Sequence, residues 1–337
     1  MRAVILDRTG PVEDSVLRLG EVDKPVAGPG EVVMKVSTCG VCHSNLHMIE
    51  GDWVDGGVPA FLPIIPGHEV VGVIDSLGPG VDWLHLGQRV GVQPLWRTCG
   101  HCEYCLSGEE QRCQDKDITG ETVHGGYAEY MLAKALHCYP VPDEIGDVEA
   151  APLFCPGITA YSAVFRASLS PGKRVAVFGI GGVGHMVLEF AVLTGAEVIA
   201  VTRSVVHGNV ASTLGINQVI NAAEVDAVDA IKTMGGVDAS IVFAPADEVV
   251  RQAIDATKPG GTVVVGVQVD LGRFLFADEK KIVGSVIGPR HRMNDVLKLA
   301  AQGRVKPVCD VFSLEEAPDV LSKLKHGEIR ARAVLKI

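Results

Sequence analysis

Long apolar runs are missing from this chain of 337 residues. Each apolar stretch is broken by Gly, Pro or a charge before it could span a bilayer, which argues against a membrane-spanning helix. The start, Met1-Arg-Ala-Val-Ile-Leu-Asp7, meets a charge too soon to read as a secretory signal. Cations are short as well. There are 30 Lys and Arg against 41 Asp and Glu, a formal net charge of −11. A nucleic acid or an anionic membrane needs a basic face, so neither is an expected partner. No internal repeat and no low-complexity segment occurs. What remains is a soluble globular protein, expected in the cytoplasm, whose length suggests two domains and a large core. Its 47% hydrophobic and 21% charged residues are ordinary for that class.

Cysteine is present in an odd number, nine, with six in two short groups. In a cytosolic chain that distribution favours metal binding over disulfides. Cys99, Cys102, Cys105 and Cys113 spell C-x2-C-x2-C-x7-C. This is the most specific spacing in the sequence. Four thiolates in a loop with little apolar content match a closed tetrahedral zinc site, and free surface thiols are a poor alternative. Such a site leaves no position open for chemistry, so its role is to tie down a lobe without its own core.

The first 37 residues read as short strands with Gly and Pro turns, clearest at Ala3–Leu6 and Glu31–Val36, in the manner of an all-β barrel or sandwich. Then comes Cys39-Gly-Val-Cys42-His43-Ser44-Asn45-Leu46-His47. His43 and His47 lie four apart and share a helix face, either as polar surface residues or as metal ligands; the cysteines favour the second. Gly67-His68-Glu69 leads into an apolar strand at Val70–Asp75, and by itself reads more readily as an ordinary turn than as a ligand. Gly125–Met131 reads as a turn into a strand. Cys155, alone, reads as a buried structural cysteine.

After residue 160 strands and helices alternate, and the centre of that half is Val175–Phe178 followed by Gly179, Gly181, Gly182, Val183 and Gly184. A strand, a G-x-G-x-x-G turn and a helix, with a second strand at Glu197–Thr202, is the context in which this pattern binds a dinucleotide pyrophosphate. Further strands are expected at Gln218–Ile220, Ala239–Phe243 and Thr262–Val267, making a doubly wound parallel sheet that ends near Gly284–Arg290. Asp295–Ala301 is expected to be a helix and Ala331–Lys336 a strand returning to the first domain. An NAD site places a carboxylate at the end of the second strand. Here the strand ends Thr202-Arg203-Ser204, and an Arg with two hydroxyl neighbours suits a 2′-phosphate, so NADP is favoured over NAD.

In this order and spacing the pieces resemble the zinc-dependent medium-chain alcohol dehydrogenases over nearly the whole length. The resemblance rests on Cys42-His-Ser…His47, Gly67-His-Glu69, the four-cysteine lobe, Gly125-Gly-Tyr-Ala-Glu-Tyr130, Cys155 before Gly157-Ile-Thr-Ala-Tyr161, and the glycine turn. It implies an α/β chain with a β-rich GroES-like catalytic domain at 1–155, completed by 292–337, and a Rossmann domain at 156–291. It implies two zinc ions per chain. Cys42, rather than Cys39, would join His68 and Cys155 as the catalytic ligands, with Glu69 beside the metal. Ser44 and His47 would form a proton relay that passes the cofactor ribose. His43, Val267 and Arg290 would lie near the cofactor, and Trp53 and Trp96, with Leu95, along an apolar substrate pocket.

The resemblance further implies reversible hydride transfer between a primary or secondary alcohol and a nicotinamide, and a homo-oligomer, a dimer or tetramer. One departure stands out. The family commonly carries Asp at the position of Asn45, in support of the zinc-bound histidine, and a neutral amide is expected to lower the basicity of His68. A polyol dehydrogenase of the same superfamily is the nearest alternative, disfavoured because such enzymes more often carry Glu at the position of Cys155. A non-catalytic cofactor-binding protein would have lost a ligand or relay residue, and none is missing. A four-cysteine module that binds nucleic acid conflicts with the acidic charge.

Overall fold

Glu31–Val41 is the longest strand, and the first half of the protein is built on it. Its buried residues include Val32, Val33, Met34, Val36, Cys39 and Val41, a nearly continuous apolar run suited to a strand covered on both sides. One edge pairs antiparallel with Val70–Leu77 along its length. The other edge changes partner midway, taking Tyr130–Lys134 opposite Glu31–Lys35 and the tail strand Arg332–Lys336 opposite Thr38–Val41. The register slips at Val33/Met34 and again at Val36/Thr38. Such irregularities bend a strand and let it serve two partners. Cys309–Ser313, Arg89–Val92 and Cys138–Pro140 complete a seven-stranded sheet.

This computed structural model describes residues 1–337, and they fall into two compact units. The first comprises Met1–Cys155, Pro289–Ala301 and Cys309–Ile337. Its core joins Leu6, Met34, Met48, Ile49, Ile64, Ile74, Tyr127 and Met131, all nearly or fully inaccessible, with the helix Ala317–Lys325 supplying Val320 and Leu321.

The second unit comprises Pro156–Gly288 and Gln302–Val308. Six parallel strands lie in the order Gln218–Asn221, Glu197–Thr202, Arg174–Phe178, Val237–Val242, Thr257–Val265, Lys281–Gly284. Numbered within the unit this is 3-2-1-4-5-6, the doubly wound order with its switch point beside the first strand. The sheet ends near Gly284, as expected, but its sixth strand was not among those the sequence pattern marked. Lys281–Gly284 has no fully buried residue, so no apolar alternation marks it as an edge strand. The unit's first stretch runs to Gly288, and Gln302–Val308 returns to join it. That return is fixed by two side chains of the helix Gly184–Val192: Lys306 N–H donates to Glu189 Oε1 at 2.8 Å, and Val308 N–H to His185 Nε2 at 3.3 Å. No single helix in the protein is long and apolar enough to cross a membrane.

Candidate metal centres and cofactor turn

Cys42 caps the helix His43–Glu50, directly after the long strand ends. His68 precedes the next strand, Val70–Leu77, and Cys155 follows the short 3-10 helix Ala151–Phe154. Three separate elements therefore bring Cys42, His68, Cys155 and Glu69 together, with one ligand atom from each lying within 4.8 Å of the others. All four are buried, and the Cys42 and Cys155 sulfurs are 3.9 Å apart. His68 Nε2 is buried without a hydrogen-bond partner. Two sulfurs and one imidazole nitrogen, the last otherwise orphaned at a cost of about 1–3 kcal/mol, fit a zinc ion.

The electrostatics agree. A hydrogen bond from Cys155 holds the Cys42 thiol well below its ordinary pKa, against burial and with help from His68. The same bond, with burial, pushes Cys155 up. A metal held here would take both sulfurs as thiolates. Burial works to lower His68, yet the adjacent Cys42 sulfur, with Glu121 and Glu69, carries it to about 9. Cys39 lies apart from this group. Burial drives its thiol far up, and its Sγ rests 3.7 Å from its neighbour's carbonyl, Gly40 O.

Glu69 is fully buried and pairs with the guanidinium of Arg332 from the tail strand. Burial lifts Glu69 to about 7, with Arg332 pulling the other way. A Cβ on Gly40 would overlap the Glu69 carboxylate, so the glycine makes its room. Around His68 stand Asn45, whose amide nitrogen is 3.3 Å from Nδ1, and Glu121, whose carboxylate is 3.8 Å from the same atom. The expected loss of basicity at His68 is therefore offset by a carboxylate that sequence order does not reveal.

His47 is half exposed, and its Nδ1 lies 2.7 Å from Asp52 Oδ2. Its ring is 5.5 Å from Trp53 and 6.4 Å from His43. Ser44 Oγ is 3.6 Å from Cys42 Sγ. Trp96 and Arg290, expected at the pocket and the cofactor, have these protein contacts. Trp96 is only 8% exposed, donates its indole N–H to Leu132 O at 3.0 Å and lies under Lys134. Arg290 belongs to the first unit, with its guanidinium on Leu136 O and its backbone N–H on Glu110. Leu95, beside Trp96 in sequence, is fully buried.

The second cluster is Cys99, Cys102, Cys105 and Cys113, whose sulfurs also lie within 4.8 Å of one another. Backbone N–H groups of His101 and Cys102 hold Cys99 down to about 6, whereas burial lifts Cys105 to about 12. Arg97 binds Asp117 at 2.6 Å and Asp115 at 2.9 Å, closing the lobe from its rim.

In the second unit the three glycines of the G-x-G-x-x-G pattern differ in what they permit. Gly179 has φ +89°, and a Cβ there would meet Ala244 N at 2.8 Å. A Cβ on Gly184 would strike the Gly179 carbonyl, so Gly184 permits close strand–helix contact. Gly181 has open space where its side chain would stand, as a backbone that receives a pyrophosphate requires. Gly182 and Val183 complete the turn, with Val183 at the N-cap of the following helix. Beyond the neighbouring strand, Arg203 is exposed, and no carboxylate stands at Thr202, Arg203 or Ser204. Thr202 Oγ1 accepts from Ser204 N–H at 3.1 Å, and Ser204 Oγ from His207 N–H at 3.3 Å. Val267 follows the fifth strand, half-buried against that unit's core.

Sequence order gives no sign of Glu121 or Asp52. For Arg332 the one available signal is its place inside the apolar run Ala331-Arg-Ala-Val-Leu335.

Comparisons with known proteins agree with this geometry. Residues 28–143 match the alcohol dehydrogenase GroES-like domain, and residues 182–302 the zinc-binding dehydrogenase domain. An alcohol dehydrogenase of Geobacillus stearothermophilus is 41% identical over 327 residues, covering 95% of this chain and 96% of that one. One of Moraxella sp. (strain TAE123) is 35% identical, covering 99% of each. The crystal structure of the alcohol dehydrogenase of Aeropyrum pernix superposes with a TM-score of 0.92 at 31% identity, covering 100% of both chains.

Proposed function

The chain belongs to the zinc-dependent medium-chain alcohol dehydrogenases, and from that premise we propose that it interconverts an apolar primary or secondary alcohol and its carbonyl compound, with NADP as the preferred nicotinamide. The observation that carries the reading is the buried trio Cys42, His68 and Cys155 with His68 Nε2 unpartnered. When bound there, zinc supplies a Lewis-acid position that lowers the pKa of an alcohol oxygen. Two thiolates and one imidazole leave a fourth position for that oxygen. Ser44 is next to the trio and is the group proposed to take the alcohol proton. His47 passes the proton to water; Asp52 holds its Nδ1–H, so Nε2 is the atom that accepts. Glu69 sits beside the trio, its charge held by Arg332.

Cys99, Cys102, Cys105 and Cys113 are proposed to hold a second, structural zinc. Gly179–Gly184 are proposed to receive the pyrophosphate, and Arg203 the 2′-phosphate. The hydroxyls of Thr202 and Ser204 each accept a backbone N–H and keep their own O–H to donate to the same phosphate, while NAD stays the second reading. Trp53 beside His47 supports an apolar substrate, aliphatic or aromatic. A pocket of that sort separates one methylene by only ~1–3 kcal/mol, so a broad range is expected. Assembly as a homo-oligomer, with a cytoplasmic location, completes the proposal.

The test is kcat/KM for a short aliphatic and an aromatic aldehyde with NADPH and NADH side by side. Turnover of both aldehydes with NADPH preferred supports the reading. NADH preferred overturns the cofactor assignment, and turnover of polyols alone overturns the substrate class.

A further inference from the structure

The outer nitrogen of His68 faces two side chains. The Asn45 amide is 3.3 Å from Nδ1, and Glu121 Oε1 is 3.8 Å from the same atom. Nε2, on the other side of the ring, is buried and unpartnered. An imidazole that binds a metal through Nε2 carries its proton on Nδ1, so Nδ1 must donate. The amide then serves with its oxygen toward His68 and its NH2 toward the Tyr127 hydroxyl, which lies 3.4 Å from the amide. That oxygen is a neutral acceptor. The negative charge facing Nδ1 comes from Glu121.

Glu121 is held there by its backbone. The turn that carries it is closed by Thr122 N–H on Ile118 O at 2.9 Å and by Gly120 N–H on Val123 O at 2.9 Å. The turn is stitched to the segment before His68 by Gly125 N–H on Ile65 O, Gly126 N–H on Gly67 O and Tyr127 N–H on Pro66 O, at 2.7 to 3.0 Å. Gly120 has φ +73°, and a Cβ on it would meet Gly67 N at 2.7 Å. The backbone of Glu121 is thus pressed against the backbone that carries His68. Its side chain is only 12% exposed. Charge on a carboxylate this little exposed is costly, and proximity to His68 offsets part of that cost.

We propose that Glu121 is a positioning residue of the metal centre: with the Asn45 amide it fixes the Nδ1–H tautomer and the ring orientation of His68, and it supplies the charge that makes Nε2 a stronger ligand. This rests on the assignment of Cys42, His68 and Cys155 as a metal site. Histidine ligands ordinarily donate their other N–H to a carboxylate, a carbonyl or water, and loss of such a partner typically weakens metal binding about 10–100-fold.

The test uses the full-length protein with the four-cysteine metal retained and Co(II) placed in the three-ligand site. Chelator competition gives the metal affinity, and the cobalt absorption bands report ligand geometry. Glu121→Gln, which keeps shape and removes charge, is expected to weaken binding about 10–100-fold and to shift the bands, with the melting temperature held. Glu121→Ala, made in parallel, is expected to weaken it at least as much. Adding Asn45→Asp to Glu121→Gln returns a carboxylate to Nδ1 and is expected to recover most of the affinity. Wild-type affinity and spectrum in Glu121→Gln, or a loss that Asn45→Asp does not recover, overturns the proposal. A wild-type protein that binds no Co(II) through Cys42, His68 and Cys155 overturns the site assignment as well.

Discussion

Arg332 and Glu69 form a fully buried ion pair whose partners are 263 positions apart in sequence. Removing one member of such a pair leaves a charge without its counter-ion and typically costs about 3–5 kcal/mol, although the intact pair need not be worth that much. Arg332→Met is expected to lower the urea midpoint accordingly and Glu69→Gln/Arg332→Met to recover part of the loss; equal midpoints for wild type and Arg332→Met would contradict the pairing argument. Arg203 is exposed and is the main candidate for the 2′-phosphate. Arg203→Ala is expected to raise KM for NADPH at least tenfold, worth about 1.4 kcal/mol, and to leave KM for NADH nearly unchanged. An equal rise in both would remove Arg203 from cofactor selection. At this scale the sequence was legible only in part. Cys42, His68 and Cys155 were assigned by resemblance, since no local spacing links residues brought together from three elements. Arg332, Glu121 and Asp52 were unforeseen because the contacts that place them are set by tertiary structure.

The four-cysteine lobe was legible from spacing alone, because all its ligands lie within one loop. Its short elements, Glu103–Leu106 and Glu110–Arg112, are too small to hold themselves. Cys102→Ser is expected to cut metal content by one ion per chain and to open residues 99–113 to proteolysis, with the first unit's core otherwise intact; unchanged protease resistance would contradict the role of the metal as a tie. The 3-10 turn Ala135–His137 carries a second consequence. Burial, assisted by Arg290, lowers His137 to about 3. The native state therefore binds no proton there between about 6.5, its ordinary value, and about 3, while the unfolded chain does. His137 contributes stability above pH ~6.5 that is lost as pH falls toward about 3, at up to about 1.4 kcal/mol per pH unit. His137→Gln is expected to flatten that part of the pH–stability curve relative to wild type, and parallel curves would contradict it. The edge strand Lys281–Gly284 was missed for the complementary reason: none of its residues is fully buried, so it carries no apolar pattern.

The whole molecule was the most legible scale. The change of texture after residue 160 and the glycine turn identified the parallel sheet, and the strand order follows from right-handed crossovers. The tail strand's return to the first unit was also foreseen, though not its partner there, and the return of Gln302–Val308 to the second unit was not, since it depends on His185 and Glu189 receiving backbone N–H groups. The central claim concerns the first unit: Cys42, His68 and Cys155 hold a metal on which turnover depends. The most direct measurement is kcat/KM for NADPH-dependent reduction of an aromatic aldehyde, followed as metal is drawn out by a chelator and returned as zinc, with metal content determined at each step. The account predicts two zinc ions per chain, activity falling in proportion to loss of one of them, and recovery when zinc is restored. Full activity in protein stripped of both would contradict it.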